Sequence, residues 1–257
     1  MPKKIICALL LIICIINTFT LTASAASSYE WYVKRNGNRR PESPIEESLL
    51  NKYNSYYIDN KLSDSSEVKK LYLTFDSGYE NGNTEKILNV LKEKNVPAAF
   101  FILDRIPLKH KELLYRMKSE GHTVCNHTKN HKDISQMSAE EIKNNLLDLE
   151  RIYEEKTGEK LSKYFRFPEG KYSEESLSVI KELGYKTIFW SLAYADWDNT
   201  KQPDPNKAMK IILDNTHNGA VILLHPTSET NAKILPQLID EWRSQGYTFG
   251  TLDELTS

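Results

Sequence analysis

Beyond residue 70 the chain repeats one pattern at intervals of about 25–35 residues: a short apolar run, a polar rim, then an amphipathic stretch. The apolar runs predict strands at 71–75, 98–102, 122–126, 164–167, 186–190, 220–224 and 247–252. Their near-continuous hydrophobicity is that of strands buried on both faces in a parallel sheet. Between them, apolar residues recur at helical spacing. They predict helices over 84–94 (Ile87, Leu88, Leu91), 107–119 (Leu113, Leu114, Met117) and 138–157 (Ile142, Leu146, Leu149, Tyr153). Further helices are expected over 173–183 (Leu177, Ile180, Leu183), 205–217 (Met209, Ile212, Leu213) and 229–245 (Leu235, Leu238, Ile239, Trp242). Ser138 with Glu141 makes a capping box, Ser173 is a second cap, and Gly184 and Gly246 stand where helices stop.

Strand–helix alternation with short joins requires right-handed crossovers and a parallel sheet. Seven such units suit either an open doubly wound α/β sheet or an irregular seven-stranded barrel. No GxGxxG follows the first strand, and neither GxxxxGK[ST] nor GxSxG occurs. The commonest other uses of an α/β sheet are therefore without support.

The first 70 residues read differently. Lys3 and Lys4 precede an apolar stretch of twelve residues from Ile5 to Ile16, and Ala23-Ser24-Ala25 follows. This is the order of a secretory signal peptide over 1–25. The apolar stretch is short against the roughly 20 residues of a spanning helix. The expectation is a protein secreted across the cytoplasmic membrane. No stable membrane insertion is expected after cleavage, with retention as a tether the alternative. Residues 26–68 are polar and irregular, yet they carry Trp31, Tyr32, Tyr53, Tyr56 and Tyr57. That aromatic load predicts an N-terminal extension packed on a main domain at 69–257 rather than disorder.

Loss of 1–25 removes Lys3 and Lys4 and no acid, moving the net charge from -1 to -3. Without a basic excess, no nucleic acid partner is expected. No long heptad or exposed apolar helix points to an obligate protein partner. Cys7 and Cys14 leave with the leader, so Cys125 stands alone and no intramolecular disulfide can form. In an apolar strand, Cys125 reads as a small core residue.

The candidate chemistry sits where the strands end, the rim at which α/β folds build sites. Asp76 closes LYLTF, and a carboxylate there can ligate a metal or accept a proton. Asp-x-Gly also suits an ordinary turn. His127 and His131 follow a strand at a spacing that can face one divalent ion. Arg166, in YFRFPEG, can hold a carboxylate ionised. His225 closes AVILL, and Asp196 is a carboxylate able to orient it and keep it protonated. Trp190 and Trp197 are core or site wall. His110 and His122 read as structural, and His217 as a cation at a helix end.

TFDSG, HTKNH, RFPEG, ADW and ILLH stand in the order of the five motifs of the polysaccharide deacetylases, the NodB-homology family, which this chain resembles over about 71–253. WYVKRNGNRRPE, YYIDN and FDSGYENGNT resemble the subgroup that makes muramic δ-lactam in spore peptidoglycan. The resemblance implies a distorted (β/α)7-type barrel and metal-assisted hydrolysis of an acetamide. By motif position it implies Asp76 as general base, His127 and His131 as metal ligands and Arg166 as the residue holding the base. His225 would be the general acid, tuned by Asp196. Trp197 and Leu223 would wall the acetyl methyl, and the backbone after Pro168, at Glu169, would face the oxyanion. The ion expected from histidine and oxygen ligands is Zn²⁺, with Mn²⁺ or Co²⁺ as alternatives.

Two positions depart from the family pattern. Ser77 stands where most members have a second aspartate that ligates the metal. It offers at most a weak or water-mediated third position, so looser metal binding is expected. The δ-lactam subgroup commonly carries a neutral residue there. Glu169 stands where many members have an aromatic or basic residue, which changes the charge a glycan meets. The implied activity is de-N-acetylation of N-acetylmuramic acid in peptidoglycan strands. Alternatives are deacetylation of N-acetylglucosamine, chitin or xylan, and a non-catalytic glycan-binding relative. A two-carboxylate glycosidase would leave the histidine pair idle.

Overall fold

The computed structural model describes residues 27–257, so the expected leader at 1–25 lies outside the described residues. Eleven strands occur there: β1 (Tyr29–Glu30), β2 (Ser55–Tyr56), β3 (Lys69–Ser77), β4 (Ala99–Ile102), β5 (Thr123–Asn126), β6 (Tyr164–Phe165), β7 (Lys171–Tyr172), β8 (Lys186–Ile188), β9 (Leu192–Ala193), β10 (Ala220–Leu224) and β11 (Tyr247–Phe249). The helices are α1 (Glu47–Lys52), α2 (Asn83–Glu93), α3 (Arg105–Lys109), α4 (Lys111–Ser119), α5 (Ala139–Thr157), α6 (Glu174–Glu182), α7 (Pro205–Asp214), α8 (Glu229–Ser244) and α9 (Leu252–Thr256). All seven expected strands are present, most of them shorter than their apolar runs.

The main sheet runs β2-β8-β6-β5-β4-β3-β10-β9, with β11 pairing the start of β3, and every pairing is parallel. One stretch closes the curl. Residues 186–188 pair with β6, while 192–193, a few residues on, pair with β10 at the opposite edge. A sheet bent far enough for one segment to touch both edges is a distorted barrel.

Alternation along the strands sorts the core into inside and outside. Tyr72, Phe101, Cys125, Tyr164, Ile188 and Val221 come from six strands and share one cluster, closed by Leu252 and Leu255 of α9. Cys125 is one of these interior residues and is fully buried. Leu71, Leu73, Phe75, Phe100, Ile102 and Ile222 face outward onto α2, α4, α7 and α8. A second outer cluster joins α5 and α6 to the extension through Trp31, Leu50, Tyr53, Tyr57 and Ile58.

The extension is built into the fold. β2 adds a strand beside β8, and β1 pairs antiparallel with β7. Trp31 stacks on Phe189 at 4.2 Å and donates from Nε1 to the Trp190 carbonyl at 2.9 Å.

Both expected caps form: Ser138 and Glu141 close a full capping box, and Ser173 makes one with Ser176. Two expectations are corrected. The single helix expected over 107–119 is two, α3 and α4, meeting at His110, whose φ of -133° and ψ of 47° break the helical path. His217 is no cation at a helix end. It is buried, its ring bonds the Asn215 carbonyl and Ser191 Oγ, and burial pushes its pKa down to about 4.

Candidate active site

Tyr72, Thr74 and Asp76 alternate along β3 and so face the barrel interior, in a column rising toward the strand's C-terminal end. Arg166, just after β6, reaches into this column. Its Nη1 donates to Asp76 Oδ1 at 2.8 Å, Nη2 to Thr74 Oγ1 at 2.8 Å and to the Phe189 carbonyl at 3.2 Å, and Nε to the Ile188 carbonyl at 2.9 Å. Its guanidinium carbon lies 4.2 Å from the Phe101 ring centre. A buried charge this fully partnered is fixed in place. Burial works against an ionised Asp76, but its neighbours His127, Arg166 and His225 together outweigh it and hold its pKa below the usual carboxylate range. Arg166 is the permanent charge among them.

His127 follows β5 and is buried. Its Nδ1–H donates to the Arg166 carbonyl at 2.9 Å, which fixes the tautomer and leaves the lone pair on Nε2. That Nε2 lies 3.5 Å from Asp76 Oδ2 and has no hydrogen-bond partner. Burial pushes the His127 pKa down to about 4, so the ring is neutral at physiological pH. The His131 ring stands 5.0 Å away, centre to centre. The turn between them is tight. Thr128 and His131 have φ of 72° and 61°, a left-handed conformation costly for β-branched threonine, and the His131 N–H donates to Thr128 Oγ1.

A buried imidazole nitrogen with a free lone pair, beside a second imidazole, offers two ligands of the kind a divalent cation takes. Ser77 is fully buried and its Oγ also lacks a partner. Among the described residues, no group of three or more His, Cys, Asp or Glu side chains is arranged to hold a metal.

The second dyad sits at the end of β10. Asp196 is buried and receives both the His225 backbone N–H (2.8 Å) and the His225 Nδ1–H (2.8 Å). Asn231, at the start of α8, donates to Asp196 Oδ2, the oxygen that also accepts the His225 backbone N–H, at 2.5 Å and accepts from the Tyr194 hydroxyl. Burial alone would lower the His225 pKa, but the paired Asp196 carboxylate reverses this and raises it above the ordinary histidine value. With Nδ1 committed to Asp196, Nε2 is left as the proton-carrying atom.

Both dyads open on one cleft of about 850 Å³. Asp76, His127, His131, Leu223, His225, Trp197 and Glu169 line it. Arg166, Asp196, Pro168 and Ser77 are buried and lie outside its lining. Leu223 is 6 % exposed and gives the lining an apolar side chain, whereas Trp197 is 65 % exposed. Glu169 has φ 55° and pairs with Lys171 at 2.6 Å, so its charge is already partnered.

Sequence reasoning passed over several residues. Thr74 carried a signal, a polar position two before Asp76 on the same strand face. Asn231 carried none, because its role depends on α8 starting beside β10. Tyr194, Tyr79 and the extension's Glu30 and Arg35 were passed over too and line the cleft, as does Trp190, read from the sequence as core or site wall.

Comparison with known proteins agrees with this fold. The model of the family described as polysaccharide deacetylase matches residues 63–188. A peptidoglycan-N-acetylmuramic acid deacetylase of Bacillus subtilis, PdaA, is 37% identical over 227 residues, covering 88% of this chain and 84% of that protein. The solved structure of B. subtilis PdaA, a family 4 carbohydrate esterase, superposes with a TM-score of 0.83 at 36% identity, over 89% of this chain and 96% of that one. A peptidoglycan-N-acetylglucosamine deacetylase of Listeria monocytogenes, PgdA, is 32% identical over 191 residues, covering 73% of this chain and 39% of that protein.

Proposed function

The chain belongs to the polysaccharide deacetylase family, and on that premise we propose that it is an exported, metal-assisted de-N-acetylase of N-acetylmuramic acid in peptidoglycan. The observation that carries this reading is the pairing of two preorganised proton-transfer groups, Asp76–Arg166 and His225–Asp196, on one cleft with a buried, unpartnered imidazole nitrogen beside the first.

His127 and His131 would hold the divalent ion, Zn²⁺ first and Mn²⁺ or Co²⁺ as alternatives, with Ser77 at most a weak third position. When bound, that ion supplies Lewis-acid polarisation of the acetamide carbonyl. Asp76, kept ionised by Arg166, takes a proton from the attacking water. His225 gives its Nε2 proton to the amine nitrogen as acetate leaves, and Asp196 keeps the ring charged and oriented. Leu223 and Trp197 face the acetyl group and its sugar. The turn at Pro168 and Glu169 carries the backbone N–H assigned to the developing oxyanion.

The choice of muramic acid over glucosamine is supported by the extension. The match to the muramic acid enzyme runs over 227 residues, more than the stretch from 69 to 257 can hold, so it includes much of 26–68. The match to the glucosamine enzyme covers 191. The freed amine lies beside the lactyl group, and its attack on that carboxyl group, forming the C–N bond as the acyl C–O bond breaks and water leaves, would give muramic δ-lactam in the spore cortex. Export rests on the expected leader at 1–25. No helix among the described residues is long and apolar enough to cross a membrane.

The test is acetate release from peptidoglycan glycan lacking its stem peptides. We expect release that a chelator suppresses and that Asp76→Asn reduces at least about 100-fold, the usual scale of a lost general base. Unchanged release from Asp76→Asn would sink the mechanism.

A further inference from the structure

We propose that Arg35, from the N-terminal extension, is a specificity-determining residue that binds a free carboxylate carried by the sugar undergoing deacetylation. Arg35 is the single lysine or arginine among the described residues lining the cleft. The acids on the extension side have a cation of their own. Lys171 pairs with Glu169 at 2.6 Å, and that hydrogen bond, with Glu30 also near, raises the Lys171 pKa. No carboxylate lies within ion-pair distance of Arg35 among the described residues. A guanidinium with that freedom, in a cleft otherwise holding Asp76, Glu30 and Glu169, is a vacant anion partner.

Its position gives the anion's place on the sugar. Arg35 Nη2 donates to the Ala193 carbonyl at 3.1 Å, which anchors the side chain on β9. Ala193 is in register with Leu223 on β10, one strand spacing away, about 4.8 Å. Leu223 is two residues before His225. The guanidinium therefore stands on the flank of the site where His225 would meet the acetamide nitrogen. A carboxylate on a substituent close to the acetamide is the anion a guanidinium in this place would meet. A 3-O-lactyl group fits that description when its carboxyl is free, and an amide-linked peptide there removes the charge. Only two donors of the fork are needed for a bidentate carboxylate, so the bond to Ala193 is retained.

This inference rests on the muramic acid reading and sharpens it to the peptide-free form. Three substrates decide it: peptide-free muramic acid glycan, the same glycan with its lactyl carboxyl methyl-esterified, and an N-acetylglucosamine oligomer. For the free-carboxyl glycan, Arg35→Gln should raise KM about tenfold with kcat little changed, the scale of one exposed charge-assisted hydrogen bond. Arg35→Lys should recover part of the loss, and the esterified glycan should show a high KM in wild type that Arg35→Gln leaves unmoved. Equal KM values for free and esterified glycan, with acetate still released from both, overturn the inference and leave the muramic acid reading standing. Acetate release from the glucosamine oligomer alone overturns both.

Discussion

Ionisation states at the site follow from single contacts. The Arg166 carbonyl decides which His127 nitrogen carries hydrogen, and the Asp196 carboxylate does the same for His225. The two rings are driven in opposite directions. Burial outweighs the Asp76 carboxylate 3.5 Å from its free nitrogen and holds His127 neutral, whereas the paired Asp196 carboxylate outweighs burial and raises the His225 pKa. A group that must donate a proton loses activity as pH rises through its pKa. Because that of His225 is raised, the alkaline limb of the kcat/KM profile should lie above the ordinary histidine value. Asp196→Asn removes the raising charge, so the limb should move to lower pH and the plateau should fall by roughly 100-fold. A pH–rate profile of both proteins checks it, and an unmoved limb would give the acid role to another group. Ser77 decides a different property. Its buried, unpartnered Oγ is neutral where a carboxylate would bring charge to any ion held by His127 and His131. Ser77→Asp should tighten Zn²⁺ binding by at least about tenfold, the scale on which one ligand's support acts. Competition with a chromophoric chelator reads this directly, without reference to turnover.

At the scale of elements, the chain's own pattern located most of the barrel. Each run from LYLTF to AVILL became a strand because burial on both faces demands uninterrupted apolar residues, a demand visible in one dimension. The caps at Ser138 and Ser173 were legible for a similar reason, since both partners of each box lie within four residues. Failures came where pairing is non-local. β2 and β9 are two residues each, too short for a period, and exist because an edge of the closing sheet lies next to them. The break at His110 was invisible because Leu113, Leu114 and Met117 keep helical spacing on one side of it only. The site divides in the same way. Asp76, His127, His131, Arg166 and His225 announce themselves as polar residues at strand ends. Asn231 and Arg35 do not, since one needs the start of α8 beside β10 and the other needs the extension wrapped back to β9.

For the whole molecule, the question is whether the extension and the barrel are one cooperative body. Trp31 is 2 % exposed, stacks on Phe189 and donates to the Trp190 carbonyl, while its backbone N–H donates to the Gly170 carbonyl. Gly170 answers with a φ of 70° and no Cβ, where a methyl group would stand 2.9 Å from Trp190 and 3.1 Å from Trp31. Phe189 and Trp190 belong to the stretch that leaves β6 and β8 on one edge of the curl and joins β10 on the other. The extension therefore bears on the segment that closes the barrel, and through Trp190 on the wall of the cleft. Truncating so large a buried ring removes its transfer energy and leaves a cavity, so Trp31→Ala should lower the unfolding free energy by roughly 3–5 kcal/mol. Exposed Tyr32→Ala, one residue on, should change it by less than about 0.5 kcal/mol. If the two parts are one body, urea unfolding of the Trp31→Ala protein should remain a single transition at a lower midpoint, the same by tryptophan fluorescence and far-ultraviolet circular dichroism. A separate early transition confined to fluorescence would mean that the extension melts from an intact barrel. In that case it would be a cover that can lift, and Arg35 would reach the cleft only while it is closed.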